Sequence, residues 1–447
     1  MLLRPRHVWT FGLLTTLCGS AGAAPVEYTL GIGVEHNDNL NLSEDDPVGD
    51  TIIEPTLAFA ANQGGSTFQG AANGIVQYRD FTEGHFSNDW LGQLNGRLNW
   101  SAIPERLDFG IEDYLGVQPI NNLQPDTPAN QQETNVFAIG PTLNFRLGPT
   151  VRGHAELRYI NSYAEETAEF NTNRVSAALR AIKDLGTSST LAANLVDERV
   201  GFRDSDLNPD YSRYSAYGRY TRQWAKLDLT ADLGYSWLRY SNNALGIGNR
   251  DAPLARGNLN WHVSERSTIT LDVAHQLSDA ASNLLIGSAI GAETGNPIPA
   301  QIATGSATTT SAAFLENRVD FGYAYHGTRG SFAIAPYYRK LDYGAFGDIG
   351  AIGNGTALNQ SARGANLTAS WLLRPLLSAG IAATGENLRY DQLERTDKTW
   401  SLQAFITRQF TRHWRWRVDF THYERDSTAA GQSADQNIVF FGFTYTR

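Results

Sequence analysis

Apolar residues recur at every second position through most of this chain, and a period of two predicts β-strands rather than helices. In the segment 89–100, Trp90, Leu98 and Trp100 share one face, while the other face is mainly polar. The segment 226–237 repeats this pattern and also ends its apolar face in a tryptophan. One apolar and one polar face on each strand is typical of a membrane barrel, which shows only alternate residues to lipid.

Long and short connections alternate between the predicted strands. Tight turns near 62–66 and 101–105 are interleaved with longer polar connections such as 37–50, 116–133 and 390–398. This alternation is typical of the outer loops and inner turns of an outer-membrane barrel. Counting through the chain gives about twenty strands, an even number, with eighteen as the alternative if one weak pair is misread. The chain is therefore predicted to be all-β, a transmembrane antiparallel up-and-down β-barrel with both termini in the periplasm.

The two ends of the mature chain are predicted to pair and so close the barrel. The last segment, 436–447, places β-branched and aromatic residues on one face, from Val439 to Tyr445. A terminal strand leaves an open edge unless it pairs, and the first mature strand, near 26–36, is the obvious partner. The last segment also resembles the assembly signal of bacterial outer-membrane barrels, although that signal usually ends on Phe or Trp and this chain ends on Arg447. The resemblance implies the barrel-assembly machinery as a partner.

Residues 1–23 have the features of a secretory signal peptide. Arg4 and Arg6 precede a short apolar run, and a small-residue sequence ending at Ala23 fits a cleavage site. The expected mature chain, 24–447, is one outer-membrane barrel domain without cysteine, because the single cysteine lies in the signal. No later stretch is apolar for about 18 residues, which argues against a transmembrane helix.

Composition narrows the class of protein further. The chain has 42 glycines, 19 tyrosines, 20 phenylalanines and 10 tryptophans, which suits an antiparallel barrel. Its mean hydropathy of -0.34 is compatible with a membrane barrel, because the inward residues lower the average. A net charge of -10 argues against nucleic acid as a partner.

The polar faces of the predicted strands carry many charged residues. An Arg placed toward lipid at the middle of a bilayer costs roughly 2–4 kcal/mol, so these faces are expected to line a wet lumen. Arg and Asp in a pore would tune the passage of charged or hydroxylated solutes. The alternative is that the charges pair with each other and only stiffen the wall. The expected lumen-lining residues are Arg97, Arg152, Glu156, Arg158, Arg180, Arg213, Arg219, Asp228, Asp232, Arg256, Arg318, Asp320 and Arg417.

Tryptophans mark the ends of several apolar faces. Trp prefers the headgroup layer of a membrane, because its ring is apolar while its N–H still needs a partner. Outer-membrane lipid and lipopolysaccharide are therefore the expected surroundings. The expected membrane-interface aromatics are Trp90, Trp100, Trp237, Trp261, Trp400 and Trp414.

The sequence offers no recognisable catalytic or metal-binding motif. It contains no H-E-x-x-H, C-x-x-C or P-loop sequence, and its histidines do not fall in a hydrolase pattern. No enzymatic activity, catalytic residue, cofactor or metal is therefore expected.

One connection, 279–311, is rich in Ala, Gly, Ser and Thr and is too long for an ordinary loop. It is expected either to fold into the pore or to stay at the surface. No separate plug domain is expected before residue 26, which argues against TonB-dependent receptors, a class with a large N-terminal plug.

Two stretches near the start of the mature chain carry a resemblance to a known family. Residues 33–59 contain G-V-E-H-N-D-N-L-N-L and D-P-V-G-D-T-I-I-E-P-T-L-A-F, and residues 77–81 read Q-Y-R-D-F. They resemble a family of outer-membrane β-barrel proteins of Gram-negative bacteria, some of them encoded in exopolysaccharide loci. The resemblance implies a porin-like barrel, with polysaccharide-export components as partners, and it transfers no site residues.

Two functions follow from these expectations. The first is an outer-membrane porin-like channel for small solutes or an exopolysaccharide, with a polar lumen lined by Arg and Asp. The second is a structural or adhesive surface barrel with an occluded lumen that transports nothing. Conductance in a planar bilayer separates the two.

Overall fold

The computed structural model covers most of the chain after the expected signal peptide. The signal, 1–23, lies outside the described residues, and so does most of the connection 279–311. The described residues are 26–203, 209–241, 248–285, 312–344 and 358–447.

Twenty antiparallel strands form one sheet that closes on itself. Each strand pairs with its neighbours in the sequence, so the fold is an up-and-down barrel and the predicted count of about twenty is confirmed. The strands are β1 (Val26–Asn37), β2 (Asp50–Gly64), β3 (Phe68–Phe81), β4 (Asp89–Ile103), β5 (Leu107–Pro119), β6 (Gln131–Arg146), β7 (Val151–Ala164), β8 (Thr172–Asp184), β9 (Ser189–Phe202), β10 (Tyr211–Gln223), β11 (Leu227–Tyr240), β12 (Arg250–Ser264), β13 (Ser267–Ser278), β14 (Phe314–His326), β15 (Gly330–Asp342), β16 (Gln360–Arg374), β17 (Leu377–Tyr390), β18 (Arg395–Gln409), β19 (Trp414–Ser427) and β20 (Ala434–Thr446).

The last strand pairs with the first, as the sequence predicts. The ladder between β1 and β20 begins with Thr29 opposite Thr446 and runs over nine residue pairs. The backbone groups of Tyr28 and Arg447 extend it with reciprocal hydrogen bonds of 3.0 and 2.9 Å. Closure therefore pairs the backbone groups that both terminal strands would otherwise leave open.

Short turns and longer loops lie at opposite ends of the barrel. At one end, called the turn end below, connections such as 104–106 and 375–376 are tight. At the other, called the loop end, connections such as 38–49 and 120–130 are longer. The alternation predicted from the sequence is therefore present in the structure.

One predicted long connection, 390–398, is much shorter in the structure. Strands β17 and β18 leave only 391–394 between them, and Glu394 adopts a left-handed φ of 49° to complete the turn. The sequence here is polar and reads as a loop. Residues 395–398 nevertheless belong to β18, and Arg395 pairs with Asp397 inside the barrel at 2.9 Å.

Contacts between distant strands show which face of each strand is inside. Arg213 on β10 reaches Asp279 after β13, and Tyr390 on β17 reaches Asn122 after β5. In a closed barrel such contacts form only across the interior. The alternate residues therefore point outward, and they are apolar and accessible, with Leu233 on β11 as much as 70% exposed.

Helical structure is found at the loop end. Pro128–Asn130 and Ala168–Phe170 are single 3-10 turns, and residues 280–285, the last described before 312, are helical and are called the short helix below. Among the described residues, no helix is both long enough and apolar enough to cross a membrane.

Candidate lumen site

The thirteen charged residues expected to line a lumen lie on the inward faces of their strands. Each lies on the strand face opposite to the face that carries the exposed apolar residues of the same strand. Arg158, for example, follows Leu157, which is 49% exposed outside. On β19, Arg417 lies on the same face as the buried Asp419, and the exposed Phe420 lies on the other face.

Most of these charges are paired along the wall. Partly exposed ion pairs contribute only about 0–1 kcal/mol each, so they orient the side chains more than they stabilise the fold. Asp228 lies opposite Asn260 and forms no ion pair within the described part of the chain. The pairs are Arg97 with Glu112 at 3.7 Å, Arg152 with Asp184 at 2.7 Å, Arg158 with Glu156 at 2.8 Å, Arg318 with Asp320 at 2.9 Å, and Arg417 with Asp419 at 2.5 Å.

Three of the predicted residues form one cluster across β10, β11 and β12. The register places Asp232 between Arg219 and Arg256 on the inward face. Arg219 Nε and Nη2 donate to the two carboxylate oxygens of Asp232 at 2.7 and 2.9 Å, and Arg256 Nη2 lies 2.8 Å from Oδ2. Both guanidinium groups also lie over the Tyr217 ring, 5.9 and 4.8 Å from its centroid. Two arginines share one carboxylate, so the cluster carries excess positive charge.

A second basic region lies nearer the turn end, on β6, β7 and β8. Arg146 lies opposite Arg152, and Arg180 lies on the adjacent strand. Arg152 is paired with Asp184, whereas Arg180 Nε donates to the Asn194 side chain at 2.7 Å. Neither Arg146 nor Arg180 forms an ion pair with any described residue. This part of the wall therefore offers positive charge to a solute.

The most buried charges form a network at the loop end, called the anchor below, of Arg174, Glu198, Arg213 and Asp279. Their side chains are 4, 7, 15 and 1% exposed. Arg174 Nη1 donates to Asp279 Oδ1 at 2.6 Å and lies 3.4 Å from Glu198. Arg213 binds Glu198 and lies 3.5 Å from Asp279 Oδ2. The anchor therefore ties strands β8, β9 and β10 to the segment that follows β13.

Asp279 also begins the short helix 280–285. Its Oδ1 accepts a hydrogen bond from the Ser282 backbone N–H at 3.0 Å, and its Oδ2 accepts one from the Ser282 hydroxyl at 2.7 Å, which caps the helix. Burial acts to raise the pKa of Asp279. The two anchor arginines and the bonds from Ser282 outweigh burial, and the pKa lies well below its usual value. The carboxylate is therefore ionised at neutral pH and holds the segment by its charge.

The short helix packs against the inner wall on β6 and β7. Its apolar side chains join a buried cluster with residues of those strands and of the 3-10 turn that follows β7. The longest connection therefore begins by folding into the barrel rather than lying at the surface. The cluster includes Val136, Ala164, Phe170, Ala281 and Leu284.

A second connection, 120–130, reaches into the barrel from another direction. The Tyr390 hydroxyl donates to the carbonyl of Asn122 at 2.9 Å, and Gln432 Nε2 donates to Gln124 Oε1 at 3.5 Å. Strands β5 and β17 are eight strands apart by the shorter way around the sheet, so these contacts cross the interior. The loop end is therefore narrowed by two inward-folded segments.

Sequence reasoning missed Glu198 and Asp279 as site residues, and it did not predict the contact of Arg174 with the segment after β13. The alternation places both Arg174 and Glu198 on inward faces, but it does not show that these side chains meet a loop. A signal for Asp279 exists in D-A-A-S-N-L-L at 279–285, because Asp followed by helix-forming residues is a typical helix start.

Outward tryptophans lie in two bands. Five of the six predicted interface tryptophans are 41–60% exposed, and Trp237 is half-buried. Trp90 and Trp100 are ten residues apart on β4, which at about 3.3 Å per residue and a 40° tilt separates them by roughly 25 Å along the barrel axis. The turn-end band contains Trp100, Trp261 and Trp414, and the loop-end band contains Trp90, Trp237 and Trp400.

Comparison with known proteins gives a structural likeness without a sequence match. No family model matches the chain, and no curated protein matches it. The chain is similar in structure to the FrpB iron transporter of Neisseria meningitidis (F5-1 variant), with 10% identity, a TM-score of 0.45, and coverage of 94% of this chain and 82% of that one. It is also similar to a mutant of the ferric enterobactin receptor PfeA from Pseudomonas aeruginosa (10%, TM-score 0.48, 95% and 81%). The ferric-catecholate import receptor Fiu from K12 E. coli gives 7% identity, a TM-score of 0.46, and coverage of 96% and 82%. At these values the likeness carries no argument about function.

Proposed function

We propose that this protein is an outer-membrane channel for small polar solutes, with a preference for anions and a narrowed loop end. The observation that carries the proposal is the pair of outward tryptophan bands, roughly 25 Å apart, around a closed barrel with a charged interior. Outer-membrane lipid and lipopolysaccharide would surround the barrel, and the barrel-assembly machinery would recognise its C-terminal strand. The proposal includes no catalytic step.

The outer surface supports a membrane location, because its apolar side chains are costly to expose to water and favourable to place in lipid. Leu30, Leu195, Leu233 and Phe441 expose between 49 and 70% of their surface on the outside. Burying one such side chain is worth about 1.5–3 kcal/mol. A closed sheet also suits lipid because it has no unpaired backbone edge.

The size of the barrel supports a passage, because wall side chains alone do not fill it. Twenty strands spaced about 4.8 Å apart and tilted by 40° give a circumference of roughly 125 Å and a Cα diameter of roughly 40 Å. Inward side chains occupy only the margin of such a space. A passage therefore remains between the walls wherever no loop enters.

The distribution of charge supports a preference for anions. Arg146 and Arg180 near the turn end have no carboxylate partner among the described residues, and Arg219 shares Asp232 with Arg256. Fixed positive charge in a pore concentrates anions and excludes cations. The wall therefore favours negatively charged solutes.

The same wall suits an exopolysaccharide as an extended solute. Planar guanidinium groups bind carboxylates and hydroxyl groups through several parallel hydrogen bonds. The resemblance of residues 33–59 to barrels encoded in exopolysaccharide loci also supports this choice. Polysaccharide-export components would then be the partners on the periplasmic side.

Conductance of the purified barrel in a planar bilayer tests the proposed channel. A potassium chloride gradient across the bilayer should give a reversal potential on the anion-selective side. Absence of conductance in the native protein, and also in a variant whose anchor has been released, would overturn the channel.

The narrowed loop end favours a second function, a structural or adhesive surface barrel with an occluded lumen. Segment 279–285 and connection 120–130 enter the interior from different sides and are held by hydrogen bonds. The second function is favoured if neither the native protein nor the anchor variant conducts while both insert into membranes.

A further inference from the structure

Four basic side chains form a patch on the outward face of the barrel, close to the loop end. We propose that this patch binds the phosphate groups of a multiply acylated lipid in the outer leaflet, of the lipid A class. The inference rests on the membrane location proposed above. The patch consists of Lys340 on β15, Arg363 on β16, Arg389 on β17 and Lys398 on β18.

The register of the strands places the patch on the outside. Arg363 lies opposite Tyr338, which is 42% exposed on the outward face. Lys398 lies two residues from Trp400, also 42% exposed outside. Lys340 and Arg389 also lie on the outward faces of their strands. All four side chains therefore point away from the lumen.

The four charges form two staggered rows. Arg363 and Lys398 lie in one row, two strands apart, and Lys340 and Arg389 lie in the next row, two residues nearer the loop end. Strands spaced about 4.8 Å apart separate the members of one row by roughly 10 Å. Diagonal neighbours are closer, at about 7–8 Å between their Cα atoms. A group bearing two phosphates can therefore contact several patch residues at once.

The height of the patch matches that of lipid headgroups. Each residue of a tilted strand rises by about 2.5 Å along the barrel axis, so Lys398 lies roughly 5 Å beyond Trp400 on the same strand. Interfacial tryptophans mark the boundary of the hydrocarbon core, and a headgroup layer of about 5–7 Å lies outside it. Lys398 thus lies in the layer that contains lipid phosphates.

The patch keeps a positive excess because its ion pairs are weak or absent. Arg389 Nε lies 3.5 Å from Asp391, and Lys398 Nζ lies 3.9 Å from Asp426, with all four side chains 43–68% exposed. Such exposed pairs contribute about 0–1 kcal/mol and yield readily to a stronger anion. The other two patch residues form no ion pair within the described ranges.

Outward arginines elsewhere near the loop end lack this excess. Arg199 on β9 pairs with Asp197 at 3.4 Å, and Arg239 on β11 pairs with Asp251 on β12. Each of these arginines is matched by one carboxylate, as Arg389 and Lys398 are, whereas Lys340 and Arg363 form no ion pair among the described residues. On the other side of the patch, β19 is acidic and presents Glu424 outward. The basic excess is therefore a property of β15–β18 and not of the whole rim.

Apolar surface below the patch favours a lipid over a free phosphate ion. Leu402 on β18 and Ile381 on β17 are 45 and 37% exposed on the same outward face, nearer the turn end. A phosphorylated and acylated lipid would contact the basic patch with its headgroup and these strands with its chains. Inorganic phosphate would gain only the first contact.

Binding of diphosphoryl lipid A to the purified full-length barrel, measured by native mass spectrometry from detergent, tests the patch. Replacing Lys340 and Arg363, the two patch residues without an ion pair among the described residues, by glutamine should weaken binding at least tenfold, because unpaired positive charges that meet the phosphates are lost. A matched control removes two outward arginines that already have carboxylate partners, and it should stay within about twofold of the native protein. The patch variant carries Lys340→Gln and Arg363→Gln, and the control carries Arg199→Gln and Arg239→Gln.

Two further measurements separate the patch from the membrane location. Inorganic phosphate at millimolar concentration should not displace lipid A, and full displacement would overturn a lipid site in favour of a simple anion site. Tryptophan quenching by brominated lipids in vesicles reports insertion independently of the patch. Quenching together with equal lipid A binding by both variants overturns the patch alone, whereas absence of quenching in the folded protein overturns the membrane location itself.

Discussion

Replacing Asp279 by Asn is expected to release segment 279–285 from the wall and widen the passage at the loop end. Asp279 is 1% exposed, meets two arginines and caps the short helix. Asparagine keeps the shape of the side chain and can still accept a hydrogen bond from Ser282. It carries no charge, however, and leaves Arg174 and Arg213 with Glu198 as their remaining partner within the anchor.

The size of the effect follows from the burial of the anchor. Removing one partner of a buried ion pair costs about 3–5 kcal/mol, because the remaining charge stays buried without compensation. Glu198 still balances one of the two arginines, so the lower value, about 3 kcal/mol, is the expected cost. This corresponds to a shift of roughly 100-fold in the equilibrium between the packed and the released segment.

Single-channel recording in a planar bilayer measures this shift. The Asp279→Asn variant should show a larger conductance or a greater open fraction than the native protein. Asp228→Asn is the matched control, because it removes an inward carboxylate near the turn end that forms no ion pair with the described residues. If a folded Asp279→Asn protein conducts like the native one, or if Asp228→Asn changes conductance equally, the anchor does not limit the passage.

Three further predictions concern pH, selectivity and closure. Because the pKa of Asp279 lies below its usual value, its stabilising contribution is complete above the ordinary value near 3.8 and is lost only at more acid pH. The anchor should therefore hold from pH 8 to about 5, and a loss of the Asp279→Asn effect within that range would contradict this. Replacing Arg146 and Arg180 by glutamine should lower the anion preference in reversal-potential measurements, whereas Arg222→Gln on the outward face should not, and equal shifts would refute the charge argument. Deleting β20 together with Arg447, residues 434–447, should abolish the folded species that resists unfolding in detergent gels, and its persistence would refute closure through the last strand.

The barrel wall can be predicted from the sequence because each strand pairs with its neighbour in the chain. The period of two sets the strand face of every residue, so the inward orientation of Arg219, Asp232 and Arg256 follows directly. Their meeting in one cluster then requires only the register of adjacent strands. Pairing of the two ends also follows, because a closed sheet leaves no other partner for the terminal strands.

The interior of the loop end could not be predicted in the same way. Alternation says nothing about where a connection goes after its strand ends. The contact between Asp279 and Arg174 spans 105 residues and depends on how the segment after β13 folds back. The connection predicted at 390–398 was wrong for a related reason, because polar residues that pair inside a barrel, such as Arg395 and Asp397, resemble loop residues in a single sequence.

Quenching of tryptophan fluorescence by lipids brominated at different depths tests the central claim most directly. The reconstituted native protein carries its outward tryptophans in two bands roughly 25 Å apart, at the levels expected for the two membrane interfaces. Bromine near the headgroups should therefore quench strongly, and bromine at the bilayer centre only weakly. Strongest quenching at the centre, or none in a folded and reconstituted sample, would contradict a barrel that spans the outer membrane in this position.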